Sequence, residues 1–349
     1  MHAEIKETAD RLIKDHSLPP DGYEKLITGF DAELQEYLSE NARAVRDAIY
    51  GKKVFVRGLI EISNKCRNDC LYCGIRRSNK SCERYRLSPE EILACADEGY
   101  GLGLHTFVLQ GGEDGFYTDE VLVNLIRKLK EAHPDCAVTL SLGERSFESY
   151  RKLREAGADR YLLRHETADE EHYRKLHPAE MSFENRMQCL RNLKELGYQT
   201  GCGFMVGSPY QTAAHLAKDL KFIEEFRPEM CGIGPFVPHH ATPFKDEPEG
   251  SVELTLLLLS MIRLIHPHVL LPATTALGTL HPKGRERGIL AGANVLMPNL
   301  SPVGVRKQYE LYDNKICTGE ESAQGILCLN SRINAIGYEI EVGRGDYKG

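Results

Sequence analysis

Residues 53–73 read KVFVRGLIEISNKCRNDCLYC. The run over 53–62 has the length and the β-branched content of a strand, and the three cysteines fall in an irregular segment directly after it. Downstream, the same pattern recurs as short apolar runs each followed by a charged amphipathic stretch: 105–111 (HTFVLQG), 136–142 (CAVTLSL), 159–165 (DRYLLRH), 199–206 (QTGCGFMV), 230–237 (MCGIGPFV), 268–274 (HVLLPAT) and 293–298 (ANVLMP). Helix candidates lie near 88–99, 118–132, 146–156, 182–196, 211–226, 251–265 and 284–290, several opened by a capping residue: Ser88 before Pro89, Thr118, Ser146 and Ser182. Such strand–helix alternation predicts an α/β chain folded as a complete (β/α)8 TIM-type barrel over 51–349, with a loop from about 299 and a helix near 321–336 covering one mouth. Upstream, Leu12, Ile13, Leu26, Ile27, Leu34, Tyr37, Leu38, Val45, Ala48 and Ile49 keep a helical period, so residues 1–50 read as a helical N-terminal extension. Barrels of this type carry their reactive groups at the C-terminal ends of strands, which directs attention to polar residues there.

The chain of 349 residues is 42% hydrophobic and 27% charged, a balance that excludes disorder and supplies a large core. The length admits two average domains, but no composition break or linker divides it, and one large barrel is expected. No apolar run approaches the roughly 18 residues of a bilayer span, and the mixed-charge start MHAEIKETADRLIKDH is unlike a signal peptide; a cytoplasmic protein with no membrane partner is expected. With a net charge of −7 and no lysine/arginine block, nucleic acid is excluded as a partner and a small substrate is expected. Of the eleven cysteines, Cys82, Cys95, Cys136, Cys189, Cys202 and Cys231 stand singly and read as small reduced hydrophobes.

Cys66, Cys70 and Cys73 form a C-x3-C-x2-C arrangement on one loop. Three thiolates so placed can wrap a 4Fe-4S cluster and leave one iron open. Structural zinc is the competing occupant, but it takes four protein ligands, usually as two separated pairs, and no second pair stands at a suitable spacing. Gln110-Gly111-Gly112-Glu113-Asp114 ends the next strand, where glycines permit close backbone approach to a ligand; alone it would be only a turn, and its place one βα unit after the cysteines gives it weight. Gly201-x-Gly203 lies inside a strand run and reads as barrel packing, not as a dinucleotide loop.

The cysteine spacing, with the aromatic Tyr72 before the last cysteine, resembles the signature of the radical S-adenosylmethionine (SAM) superfamily. The resemblance implies that the methionine amine and carboxylate of SAM chelate the open iron and that one electron from the cluster cleaves SAM to a 5′-deoxyadenosyl radical. Longer stretches, RYLLRHETA (160–168), SFENR (182–186), GFMVGSP (203–209), GIGPFVPHHATP (232–243), LPATTALGT (271–279) and NVLMPNLSP (294–302), closely resemble the HydE family of FeFe-hydrogenase maturases, and biotin and methylornithine synthases less well. Carried over by position, the resemblance implies that Gly111 and Gly112 receive the methionine amine, that Glu166 holds the ribose hydroxyls, that Arg186 grips the methionine carboxylate and that Met205 lies beside the adenine. Glu166 and Arg186 read equally well as a cap or an ion pair. By the same resemblance Gln110, Arg160, Arg164, Thr274, Thr275 and Tyr309 line the inner cavity, the two threonines closing a strand run where packing alone does not explain hydroxyls. The implied activity is assembly of the diiron centre of the hydrogenase H-cluster from a small iron-carbonyl-cyanide-cysteinate complex, with other maturases and a reductant such as ferredoxin or flavodoxin as partners. Two alternatives stay open: a mutase or synthase acting on an amino acid, and a non-catalytic iron-sulfur electron carrier. In NKICTGEESAQGILC (314–328) a second cluster known in some relatives would need cysteines at C-x7-C-x2-C; Cys317 and Cys328 fit, but Gly325 stands at the middle position, so none is expected.

Overall fold

The helix starts are set by the polar caps expected from sequence. Ser88, Thr118, Ser146 and Ser182 each accept a hydrogen bond from the backbone N–H three residues on; at Ser88 the Glu91 carboxylate returns the bond, closing a capping box. The computed structural model describes residues 2–349. Among them, three helices come first, α1 (Ala3–Asp15), α2 (Pro20–Thr28) and α3 (Ala32–Tyr50), then strands β1 (Lys53–Val56) and β2 (Gly58–Ser63). There follow α4 (Pro89–Gly101), β3 (Thr106–Gly111), α5 (Asp119–Ala132), β4 (Ala137–Ser141), α6 (Phe147–Glu155), β5 (Arg160–Leu162), α7 (Glu170–Leu176), α8 (Phe183–Glu195), β6 (Gln199–Cys202), β7 (Met205–Val206) and α9 (Ala213–Phe226). The last part holds β8 (Met230–Cys231), β9 (Gly234–Pro235), α10 (Val252–Ile265), α11 (Thr275–Leu280), α12 (Gly284–Leu290), β10 (Val295–Leu296), α13 (Val303–Arg306), α14 (Ser322–Asn334) and β11 (Glu339–Glu341).

Six strands form one parallel sheet in the order β2-β3-β4-β5-β6-β8, with helices between successive strands; β1 lies between β10 and β11, and β7 pairs with β9. Single bridges extend the pairing: Met230 with Leu270, Pro272 with Val295, and Leu59 with Asn299, all parallel. The strand expected over 268–274 survives only as those bridges at Leu270 and Pro272. Pro272 has no N–H to give, and Thr274 already stands at the N-cap of α11, so the two threonines begin a helix instead of closing a strand.

The N-terminal helices are fastened to the flank of the strand–helix unit. Leu12, Leu26, Leu34 and Leu38 are fully buried, each contributing about 1.5–3 kcal/mol. Polar ties add register: Ser39 Oγ meets Ser260 Oγ on α10 at 3.1 Å, and the buried Arg46 donates to the carbonyls of Ile289 and Ala293. At the other terminus α14 lies outside the cavity and leads back to Lys52, whose carbonyl accepts from Glu339 N at 3.0 Å, and β11 then runs along β1. Of the loop from about 299 and the helix near 321–336 expected to cover the mouth, the loop does so, supplying Tyr309, Leu311 and Tyr312 to the cavity, and the helix contributes no lining residue. No helix among the described residues is long and apolar enough to cross a membrane.

Candidate active site

β2 delivers the chain at Ser63 into a loop that runs to Tyr85, and hydrogen bonds give this loop its shape. Asp69 accepts from Arg76 Nε at 2.8 Å and from both the N–H and the hydroxyl of Ser78, which holds its carboxyl well below the usual carboxylate range. Leu71 N donates to Leu176 O at 3.0 Å, fixing the loop to α7. The Tyr72 hydroxyl lies 3.2 Å from His177 Nε2, its ring edge-on to the imidazole. Cys66, Cys70 and Cys73 are half-buried on this loop and face one cavity. Burial pushes all three thiols up, Cys70 to about 12, so at neutral pH a cationic partner is needed to hold them as thiolates.

The cavity has a volume of about 330 Å³ and collects every residue nominated from the sequence except one. From β3 come Gln110, Gly111 and Gly112. A Cβ on Gly112 would run into Lys65 O and Cys66 Cβ, so only glycine lets the turn lie against the cysteine loop. The Gln110 amide donates to Tyr309 OH at 3.4 Å. After β5, Glu166 stands at φ 66°, in the left-handed region that costs an L side chain about 1–3 kcal/mol; its N–H donates to Gly203 O at 3.0 Å, which keeps it there. Glu166 Oε2 is buried without a hydrogen-bond partner, as are Arg164 Nε and Nη2 and Thr274 Oγ1. Arg164 Nη2 approaches Glu166 Oε2 at 3.2 Å but is not aligned to donate to it. Arg186 uses Nε on Glu144 Oε1 at 2.5 Å and Nη1 on Arg164 O at 2.6 Å. Arg186 thus makes a buried ion pair with Glu144, unlike the surface pair weighed from sequence, while its side chain borders the cavity. Met205 packs with Tyr72, Leu71, Leu176, Phe236 and Phe244 into an apolar wall.

Arg160 is the exception and a correction. Its guanidinium is fully buried at the first position of β5, where it donates to Asp346 Oδ1 at 2.6 Å, to Arg344 O at 2.7 Å and toward Thr106 Oγ1 at the start of β3. The cavity sits at the other end of β3, at Gln110–Gly112. Arg160 therefore anchors the C-terminal segment and does not line the cavity.

Several lining residues carry no motif. Tyr312 and Leu311 lie in an aperiodic segment where nothing in the sequence marks them, and Phe236 falls inside an expected strand run and a family-like stretch with no signal of its own. Beneath Tyr309 lies a pair with a visible signal: Glu61 interrupts an apolar run, and it is buried against Lys315 Nζ at 2.5 Å and Asn299 Nδ2 at 2.9 Å. Lys315 also donates to Tyr309 O at 2.8 Å, so this buried pair seats the loop that closes the cavity. His239, His240 and Asp313 converge nearby with metal-ligand chemistry. However, Ala241 N donates to His239 Nδ1 at 3.0 Å, which places the neutral ring's proton on Nε2, the atom that faces Asp313. Gly201 and Gly203 serve packing, as their place in a strand suggested: a Cβ on Gly201 would come within 2.6 Å of Leu162 Cδ1.

The donor set fits an iron-sulfur cluster with one open iron: three cysteine sulfurs border the cavity, the loop's fourth cysteine, Cys82, does not, and buried polar atoms without a hydrogen-bond partner line the same cavity for a ligand that completes it. Residues 60–223 match the Radical SAM superfamily. Over 315 residues, 87% of this chain and 90% of the relative, the sequence is 47% identical to the [FeFe] hydrogenase maturase subunit HydE of Thermotoga maritima. It is 29% identical over 338 residues to the 3-methylornithine synthase of Methanosarcina acetivorans, covering 96% and 94% of the two chains. The crystal structure of methylornithine synthase (PylB) superposes with a TM-score of 0.84 at 29% identity, over 96% of this chain and 97% of that one. That of HydG, a maturase of the [FeFe]-hydrogenase, has a TM-score of 0.81 at 20% identity, over 97% and 76%, a likeness of fold.

Proposed function

Because this chain belongs to the radical SAM superfamily, and within it to the HydE maturases of [FeFe] hydrogenase, we propose that the cavity behind Cys66, Cys70 and Cys73 is where it acts on an iron-carbonyl-cyanide-cysteinate precursor of the H-cluster diiron centre. The cofactors are those of the family, a 4Fe-4S cluster and SAM. When bound, they supply one-electron cleavage of SAM to a 5′-deoxyadenosyl radical. Cys66, Cys70 and Cys73 hold the cluster. Gly111 and Gly112 bring backbone oxygens close enough to receive an ammonium, and Gln110 bridges this turn to Tyr309. Arg186, oriented by Glu144, meets a carboxylate. Glu166 accepts from the two ribose hydroxyls, and Met205 with Tyr72 walls the adenine. Arg164, Thr274, Thr275 and Tyr309 offer donors to an anionic substrate, and Phe236 and Leu311 exclude water from it. One observation carries the reading: three thiols share a cavity with buried polar atoms of Glu166, Arg164 and Thr274 that make no hydrogen bond within the protein, Glu166 and Arg164 having only their misaligned ion-pair contact, and a buried polar group without its hydrogen bond costs about 1–3 kcal/mol until a ligand relieves it.

The single bridges at Leu59, Met230 and Pro272 support closure of the sheet into a complete (β/α)8 barrel over 51–349, with 1–50 as its helical extension. A cytoplasmic setting, other maturases and an acidic reductant such as ferredoxin or flavodoxin complete the picture. The test is a strain lacking this protein. Its hydrogenase polypeptide should be made but lack the diiron centre and activity, and the purified, anaerobically reconstituted protein should release 5′-deoxyadenosine from SAM. Normal hydrogen evolution would overturn the maturation role, and conversion of lysine without any iron complex would indicate an amino-acid mutase instead.

A further inference from the structure

The cysteine loop has almost no regular structure, yet it must present three thiols to one point. Arg84, which follows the cysteines in sequence, turns its guanidinium back into the loop. Its Nη1 donates to Asn64 O at 2.5 Å and Ile75 O at 2.8 Å, and its Nη2 to Arg76 O at 2.6 Å and Asn79 O at 3.1 Å. Asn64 stands two residues before Cys66, and Ile75 two after Cys73. One planar group thus ties both ends of the ligand segment together. Only a guanidinium offers enough donors in a rigid fork for this; an ammonium has three, on a flexible stem.

The charge is distinctive as well. Arg67, Arg76, Arg77 and Arg86 around the same loop are paired with Glu113, Asp69, Glu180 and Asp114. Arg84 makes no ion pair among the described residues; its partners are neutral carbonyls. A positive charge without a counter-ion therefore sits at the base of the cysteine loop, close enough to act electrostatically on Cys66, and a nearby cation favours any group that gains an electron.

We propose that Arg84 is the positioning residue of the cluster site: it holds the cysteine loop in its ligating shape before metal arrives, and it raises the reduction potential of the cluster the loop then holds. This rests on the reading of Cys66, Cys70 and Cys73 as cluster ligands. The test uses full-length wild type, Arg84→Lys and Arg84→Met. In the cluster-free proteins, hydrogen exchange of the amides between 64 and 79 should rise about tenfold or more in both variants, because the fork is lost in each. After anaerobic reconstitution, the midpoint potential should be more negative in Arg84→Met than in wild type, with Arg84→Lys between them. Unchanged loop exchange in both variants, or equal potentials in wild type and Arg84→Met, would overturn the assignment. Should Arg84→Met not fold, the exchange of Arg84→Lys alone decides. A wild-type protein that takes up no cluster would instead count against the reading of the cysteines, so the two failures are distinguishable.

Discussion

Glu166 is held in a left-handed backbone conformation, with a buried oxygen that accepts no hydrogen bond within the protein and has only the misaligned Arg164 guanidinium beside it. Strain and desolvation of this kind persist where a ligand uses the group. Glu166→Gln keeps the shape and removes the charge; charge-assisted hydrogen bonds contribute about 1.5–3 kcal/mol, so SAM affinity should fall about 10- to 100-fold, measured by calorimetry on the reconstituted protein. Wild-type affinity would remove Glu166 from the SAM site. A second contrast separates Arg160 from Arg164. Arg160→Met should leave SAM cleavage close to wild type but lower the thermal midpoint, because it strips Asp346 and the Arg344 carbonyl of their buried donor. Arg164→Met should spare the midpoint and reduce turnover of substrate. The comparison also explains what was legible at this scale. Cys66, Cys70, Cys73, Gly112, Glu166 and Arg186 could be placed because motif position fixes where along the chain they fall. Arg160 and Arg164 stand four residues apart, on the same face of an extended run. Alternation gives the face but not the height along the strand, and the two arginines lie at opposite ends.

Among the elements, those with strong periodicity and a polar cap fell where the sequence placed them, α4, α5, α6 and α8 above all. The failures are short: α7, α11 and α13 have seven, six and four residues, a length at which a helical period is weak although the seven-residue α12 was still placed at 284–290, and the 268–274 run was apolar enough for a strand although Pro272 denies it a ladder. The α14 region carries a prediction of its own. Gly325 lies on α14 with open space where a side chain would stand, and Cys317 and Cys328 border a cavity of about 50 Å³ with Arg285, Arg306 and Arg332. Two thiols cannot hold a cubane cluster by themselves, so reconstituted protein should contain about four irons per chain. Cys317→Ala and Cys328→Ala should leave that count and SAM cleavage unchanged; an iron excess lost in Cys317→Ala would refute this.

For the molecule as a whole, buried histidines set an acid limit on stability. Burial lowers His172 to about 4 and His266 to about 3. Above the ordinary value of about 6.5, both rings are neutral whether folded or not, and stability should be flat with pH. Below it the unfolded chain takes up protons that the native rings refuse, so stability falls by about 1.4 kcal/mol per pH unit for each histidine until the folded values are reached. Denaturant midpoints of the cluster-free protein at pH 7.5 and 5 should differ accordingly, and a His172→Gln/His266→Gln variant should show a smaller difference. An equal loss in that variant would assign the acid limit to other groups. The pairing of the first strand has a different reach, into how the chain assembles. Phe55 of β1 finds its partner at Val295 and Lys53 at Glu339, and the outer edge of β2 meets Asn299 at Leu59, whereas the ladders from β2 to β6 join sequence neighbours. Strands β2 to β6 can therefore form early from local units, while both edges of β1 and the outer edge of β2 stay bare until residues far along the polypeptide have been synthesised and docked. Such contacts are slow to form, and an uncovered apolar edge recruits other chains in the meantime. Cold induction or a low expression level should therefore raise its soluble yield, and an unchanged soluble fraction under both would count against this order of assembly.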